Sequence, residues 1–335
     1  FERGNNNQKR STYFSIIQIK IHKTGSTFVK IKYYMKNILF LLIILIGLTS
    51  CKDNSKKQTV PDETSNPIDN SVEMTEEQKD LKKNAIPIVS LSKLSNKIYD
   101  EIANFEILMI GEMHGTNEPA EFAYGLCELI TEHEENVIMA MEIPSSLMNN
   151  LSDEMSISQL KELDFFRGKN FDGRNGVAWL DLVYKSIKND GIILKFIDNP
   201  YQSSTRDSSM YREIRNIHNK YPNTKIVTLS GNVHNSFTPL FDEERIGGYL
   251  LKDSVNFDSN KIMSINHVYS EGSMLNNDGT GLKMRTIERE DNIYNTTLSH
   301  DMFLYKKSSE KQNRYTHILY TDKVTASEII KKDYK

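Results

Sequence analysis

Cysteine is scarce: the 335 residues contain only Cys51 and Cys127. No Cys-x-x-Cys pair is present, so neither a thiolate metal knuckle nor a redox pair of that pattern is encoded. Serine is common, yet no serine stands in a Gly-x-Ser-x-Gly context, the strained strand-to-helix turn that presents an α/β-hydrolase nucleophile. Water is therefore the more natural nucleophile for any hydrolytic chemistry. Basic charge is also in short supply once residues 1–50 are set aside. What remains carries 34 Lys and Arg against 44 Asp and Glu, a net charge of −10. Nucleic-acid binding, which needs clustered Lys and Arg against phosphate, is excluded on that balance. No internal repeat is present.

The one long aliphatic run, Ile38 to Leu48, is too short for an ordinary membrane span. It follows Met35-Lys36-Asn37, Met35 being the first methionine, and leads into Leu48-Thr49-Ser50-Cys51. A short basic region, an apolar segment and small residues before a cleavage point describe a signal peptide. The cysteine at its end resembles a bacterial lipobox. The expected organisation is an upstream extension over 1–34, a lipoprotein signal peptide over 35–50 and a lipidated Cys51. A polar, flexible tether over 51–84 follows, and then a single α/β domain over 85–335. That arrangement places the domain outside the cytoplasm, held to the cell envelope by acyl chains. With Cys51 lipidated, Cys127 is left as a small core residue.

Within the domain, four short apolar runs end in chemistry-bearing residues. Phe105 to Ile110 leads to Glu112 and His114, and Asn136 to Met141 to Glu142. Ile192 to Ile197 leads to Asp198, and Lys225 to Leu229 to Ser230-Gly231-Asn232-Val233-His234. Runs of this length without clean alternation fit strands buried on both faces. Their ends lie roughly 30 to 55 residues apart, room for a helical crossover each time. Helical patterns occupy the gaps. Phe122, Leu126, Leu129 and Ile130 share one helical face, with Asn117 placed to cap it and Pro119 in its first turn. Val177 to Lys188 and the Met210, Ile214, Ile217 spacing predict two more helices. The fold class is α/β, a mostly parallel central sheet with helices on both faces. Additional short strands are expected at Ile246 to Lys252, Lys261 to Tyr269, Met302 to Tyr305 and His317 to Tyr320, with Asn276-Asn277-Asp278-Gly279 as a turn. Ligands of open parallel sheets bind at the carboxyl edge, where these four strand ends meet.

Gly111-Glu112-Met113-His114-Gly115-Thr116-Asn117-Glu118 resembles a motif shared by three protein groups. They are the erythromycin-esterase-like proteins, the haem-uptake lipoproteins of the ChaN type and, more distantly, the TIKI/TraB proteases. Further matches follow in order: Met141-Glu142-Ile143-Pro144, Asp172-Gly173-Arg174 before a helix containing Trp179, Arg206-Asp207-Ser208-Ser209-Met210, and Ser230 to His234. The resemblance spans Ile86 to Phe237 and, more weakly, Tyr320 to Ser327. Met113 stands where the esterases carry serine, and Glu118 lies in the region where the haem-uptake proteins carry a second histidine.

The resemblance and the chemistry together imply a hydrolase of an ester, lactone or amide, acting on a small molecule. His114, with a near-neutral intrinsic pKa, is the candidate base. Glu112 and Glu142 would orient it, and His234 would serve as a second acid or oxyanion donor. Glu118, Arg174, Asp198 and Arg206 are candidates for substrate contacts, since a guanidinium offers a planar fork of donors. No cofactor or metal is required by this reading. Two alternatives keep the site: a haem-binding uptake lipoprotein, and a hydrolase holding Zn or Mn on the imidazoles and carboxylates. The other histidines of the domain, His133, His218, His267, His300 and His317, have no sequence signal for the site. The oligomeric state is left open.

Overall fold

A computed structural model of the chain describes residues 74–168, 172–200, 206–277, 279–289, 294, 298, 300–307 and 314–331. The expected signal segment and lipidated Cys51 lie outside the described residues. Nine strands form one sheet: β1 (Ile86–Pro87), β2 (Ile107–Glu112), β3 (Val137–Pro144), β4 (Ile192–Asp198) and β5 (Lys225–Gly231), then β6 (Ile262–Asn277), β7 (Leu282–Glu288), β8 (Met302–Lys306) and β9 (His317–Val324). Their order is β1-β8-β9-β6-β2-β5-β3-β4, with β7 hydrogen-bonded to β6. From β9 to β4 every neighbouring pair is parallel. The antiparallel strands β1 and β8 lie beyond β9, whereas β7 pairs antiparallel with the later half of β6, past the residues of β6 that pair with β2.

The six principal helices are α1 (Glu76–Asn84), α2 (Asn96–Ile102), α3 (Glu118–His133), α4 (Val177–Lys188), α5 (Arg206–Lys220) and α6 (Ile246–Lys252). Side chains alternate across a strand, and the two sheet faces bury different partners. Leu108, Ile110, Val137, Met139 and Leu229 pack with Phe122, Leu126, Trp179 and Val183 of α3 and α4. Ile107, Met109, Ile138, Ala140 and Ile226 pack with Met210, Ile214, Ile246 and Leu250 of α5 and α6. Every residue of β2 and β5 is buried, which is why those runs show no apolar–polar alternation. Cys127 lies in the first of these cores, its Sγ 3.7 Å from Met139 Sδ.

Three expectations need correction. Ile246 to Lys252 is a helix, not a strand. Ile246 and Leu250 fall one helical turn apart and are both buried, and Gly247 lets the backbone sit against the carbonyls of Asn235 and Ser236. A short apolar run alone does not separate the two possibilities. The stretch expected to be tether is helical from Glu76 to Asn84. Thr75 and Gln78 form a reciprocal capping box, and Leu81 of α1 is fully buried in a cluster with Phe303 and Tyr320. Asn117 occupies the cap position of α3, but its side chain does not cap the helix. Its amide donates instead to Thr325 Oγ1 and the Ala326 carbonyl.

Those last contacts belong to a strap. After β9, the chain crosses the starts of α3 and α4, with isolated bridges Thr116–Ala326 and Gly176–Ile329. Backbone bonds run from Asn117 N to Thr325 O, from Ser327 N to Gly115 O and from Val177 N to Glu328 O. Ser327 Oγ also accepts from the Ala178 N–H. The start of α3 is thereby tied to residues 208 and 209 positions further along, and the start of α4 to a residue 149 positions further along.

Candidate active site

Because β2, β3, β4 and β5 are parallel, their carboxyl ends deliver Glu112, Glu142, Asp198 and Gly231 to one edge. His114 follows β2 on the turn into α3. His234 follows β5 on a short 3-10 turn, Asn232–Asn235. The β3–β4 register shifts between Met141 and Pro144, a local irregularity of the kind that re-aims a side chain. Glu142 sits within that shift.

Glu142 is the hub. Its Oε1 meets Arg174 Nη1 at 2.7 Å, Arg206 Nη2 at 2.5 Å and His234 Nε2 at 3.4 Å. Its Oε2 accepts the Gly231 N–H at 2.8 Å, and its carbonyl accepts from Arg174 Nη1 at 3.0 Å. The carboxylate is fully buried. Burial alone would raise its pKa, but Arg174, His234 and His114 together hold it well below the usual carboxylate range.

His114 is clamped from behind. Its Nδ1 lies 2.5 Å from Glu112 Oε1, and the other oxygen of Glu112 accepts the Trp179 indole N–H at 2.9 Å. With Nδ1 donating to that carboxylate, Nε2 is the nitrogen that presents a lone pair whenever the ring is neutral. That nitrogen is 3.8 Å from Asp172 Oδ2. Burial opposes protonation of the ring, but the charge and hydrogen bond of Glu112 outweigh it and raise the His114 pKa above 6.5.

His234 sits across Gly231 from His114. A Cβ on Gly231 would lie 3.0 Å from His114 Nε2 and 3.6 Å from His234 Cδ2, so the missing side chain leaves both rings bordering one space. His234 Nδ1 is 2.8 Å from Asp207 Oδ1. Burial again opposes its charge, while Glu142 and Asp207 overcome that and push its pKa up to about 9. At neutral pH His234 is an imidazolium.

The structure gathers His114, Glu112, Glu142 and His234 as the sequence predicts, and it also places Arg174, Asp198 and Arg206 beside them. The last three are engaged with one another's network. Arg174 forms a fork with Asp172 (2.9 and 3.0 Å), and Arg206 forms one with Asp198 (2.8 and 2.8 Å). Arg174 and Asp198 are buried, whereas a quarter of the Arg206 side chain is open. Glu118 is not brought to the histidines. Its Oε1 accepts from the N–H and hydroxyl of Thr325 in the strap, and burial raises its pKa.

Asp172, Trp179 and Asp207 lie in the matching motifs but carry no role on sequence alone. For Trp179 a signal existed, since a buried indole N–H usually finds an acceptor. Asp207, 27 residues from His234, has no local signal. His267 and His317 are buried away from this network, on Thr321 and Glu101 respectively. Among the described residues no group of three His, Cys, Asp or Glu side chains is arranged to hold a metal ion. The Glu142 and Asp198 carboxylates face guanidinium groups.

No family model matches the chain, and no curated protein matches it in sequence. Similar solved structures include a Bacillus cereus protein (10% identity, TM-score 0.51, 76% of this chain and 98% of that one). A succinoglycan biosynthesis protein is similar at 10% identity and TM-score 0.53, with the same coverage. An erythromycin esterase, a histidine-to-asparagine mutant in its open conformation, is similar at 11% identity and TM-score 0.51 over 74% of this chain and 100% of that one. Identities this low speak to architecture alone. On that ground the chain has an erythromycin-esterase-like fold.

Proposed function

We propose that this protein is a hydrolase that activates water through His114 for attack on an uncharged ester, lactone or amide carbonyl. The observation that carries the reading is the clamped ring of His114. Its Nδ1 is fixed on a buried, indole-held Glu112, while Nε2 faces the space above Gly231. Nε2 removes a proton from water as the oxygen attacks the carbonyl carbon. His234 borders the same space as a cation. Its Nε2–H contact with Glu142 is long at 3.4 Å, so that proton can turn to the developing oxyanion. The proton taken by His114 then passes to the leaving oxygen or nitrogen. Five carboxylates (Glu112, Glu142, Asp172, Asp198, Asp207) face three guanidinium groups (Arg174, Arg206, Arg245) and the two imidazoles. No surplus of positive charge is left to recruit an anion, which favours a neutral substrate.

The two imidazoles set the pH dependence. His114 must lose its proton, so activity rises with pH along a limb above 6.5. His234 must keep its proton, so activity falls through about 9. A panel of neutral esters, lactones and amides, assayed from pH 5 to 10, should show a bell with those limbs. Absence of turnover across the panel, or a rate flat with pH, would overturn the reading.

The same proposal places the domain at the cell envelope through lipidated Cys51, on the support of the Ile38 to Leu48 segment and Leu48-Thr49-Ser50-Cys51. Two or more acyl chains hold a soluble domain stably at a membrane. Expressed in a bacterial host, the wild type should incorporate labelled fatty acid and lose residues 35–50. The Cys51→Ala variant should do neither, and an unlabelled wild-type chain still bearing Met35 would contradict the anchor.

A further inference from the structure

The His234 side of the site contains a second arrangement of the kind seen at His114. Asp207, the second residue of α5, is nearly buried, and each of its oxygens is engaged. Oδ1 lies 2.8 Å from His234 Nδ1 and accepts the Ile246 N–H at 3.3 Å. Oδ2 accepts from Arg245 Nη1 at 3.1 Å. Arg245 is itself 7% exposed and held on its far side, where Nη2 donates to the Leu240 carbonyl at 2.7 Å. That carbonyl opens a two-residue turn closed by Leu240–Glu243 backbone bonds. Both central residues, Phe241 and Asp242, have positive φ (56° and 62°). Non-glycine residues held there imply that the surroundings fix the turn.

We infer that Asp207, seated by Arg245 and the Ile246 N–H, is the positioning residue of His234, so that the site is built from two carboxylate–imidazole pairs facing each other across Gly231. Each pair has the same parts: a ring, a carboxylate on its Nδ1, and a third group that fixes the carboxylate. Trp179 fills that place behind Glu112, and Arg245 fills it behind Asp207. The pairs differ in what faces the other nitrogen. His234 Nε2 meets the charged hub Glu142, whereas His114 Nε2 opens on the space above Gly231, with Asp172 at 3.8 Å. The groups around His234 are therefore Asp207 from α5, Glu142 from β3 with Arg174 and Arg206 beyond it, Arg245 ahead of α6, and His114 across Gly231. Removing Asp207 takes away the contact that fixes the ring's rotation and favours its charged form, and leaves Glu142 in place.

This inference rests on the hydrolase reading only for its kinetic arm, so the first measurement is made without substrate. In full-length protein with isotope-labelled imidazoles, NMR titration should show His234 losing its proton near 9 in the wild type and at lower pH in Asp207→Asn. Asp207→Glu, which keeps the charge, should recover part of that shift. If Asp207→Asn fails to fold because Arg245 is stranded, the double variant Asp207→Asn with Arg245→Met removes both charges and gives the same readout. On any hydrolysed substrate, the alkaline limb should move to lower pH, with kcat falling at least tenfold and KM within about twofold of wild type. A His234 titration unchanged in the folded variants would overturn the positioning role. If the titration shifts as stated but no substrate is turned over, the hydrolase reading fails while the pairing stands.

Discussion

The His114→Asn variant should retain its fold and lose hydrolytic activity, with kcat down about 10²- to 10⁴-fold, the usual worth of a positioned acid–base group. Asparagine is preferable to alanine because its amide N–H can take over the Nδ1 donation to Glu112. That keeps the buried Glu112 carboxylate from losing a partner, a loss that would confound activity with stability. What the amide lacks is a basic atom where Nε2 stands. Substrate affinity should change little, since the step removed is proton transfer from water. Denaturant midpoints measured beside the rates separate the two effects. A variant that hydrolyses at the wild-type rate would show that His114 is not the base, whatever the geometry at Glu112.

The largest stability effect is expected at Glu142. Glu142→Leu should destabilise the domain by about 3–5 kcal/mol, because it strands two guanidinium groups and an imidazolium that the carboxylate now faces. Glu142→Gln should be milder but still damaging. Its carbonyl can accept the Gly231 N–H, yet its NH₂ then points at donors of Arg174 or Arg206. The same network sets an acid limit. The folded pKa of Glu142 is depressed below its ordinary 4.5, so its contribution is complete above that pH and is lost as pH falls through the depressed value. Chemical denaturation of both variants at neutral pH, and of the wild type at decreasing pH, measures each part. Unfolding midpoints within experimental error of wild type for Glu142→Leu would mean that the guanidinium groups find other partners.

The legible part of this protein is the part governed by local pattern. The buried strands announce themselves as apolar runs because both faces are covered, and a parallel sheet forces their polar ends to one edge. Glu112, His114, Glu142 and His234 were therefore visible. The roles of Arg174 and Arg206 were not, since whether a guanidinium meets substrate or a neighbouring carboxylate depends on residues far along the chain, here Asp172, Asp198 and Glu142. Asp207 was hidden for the same reason. Ile246 to Lys252 reads as a strand although it is a helix, because seven residues contain too few turns to show a period. β7, half exposed and paired with β6, has little apolar signal to read. Position in a motif puts Glu118 near the chemistry, but Thr325 of the strap occupies it.

That strap also gives the protein an order of assembly. The turns that follow β2 and precede α4 are hydrogen-bonded to Thr325, Ala326, Ser327 and Glu328. Contacts so distant along the chain form slowly, and during synthesis they have no partner until residues 325–328 have left the ribosome. The histidine-bearing turn is thus among the first parts of the domain to be made and among the last to be secured. A chain cut before Thr325 would lack these bonds to the histidine-bearing turn, so the parallel strands alone do not secure that turn.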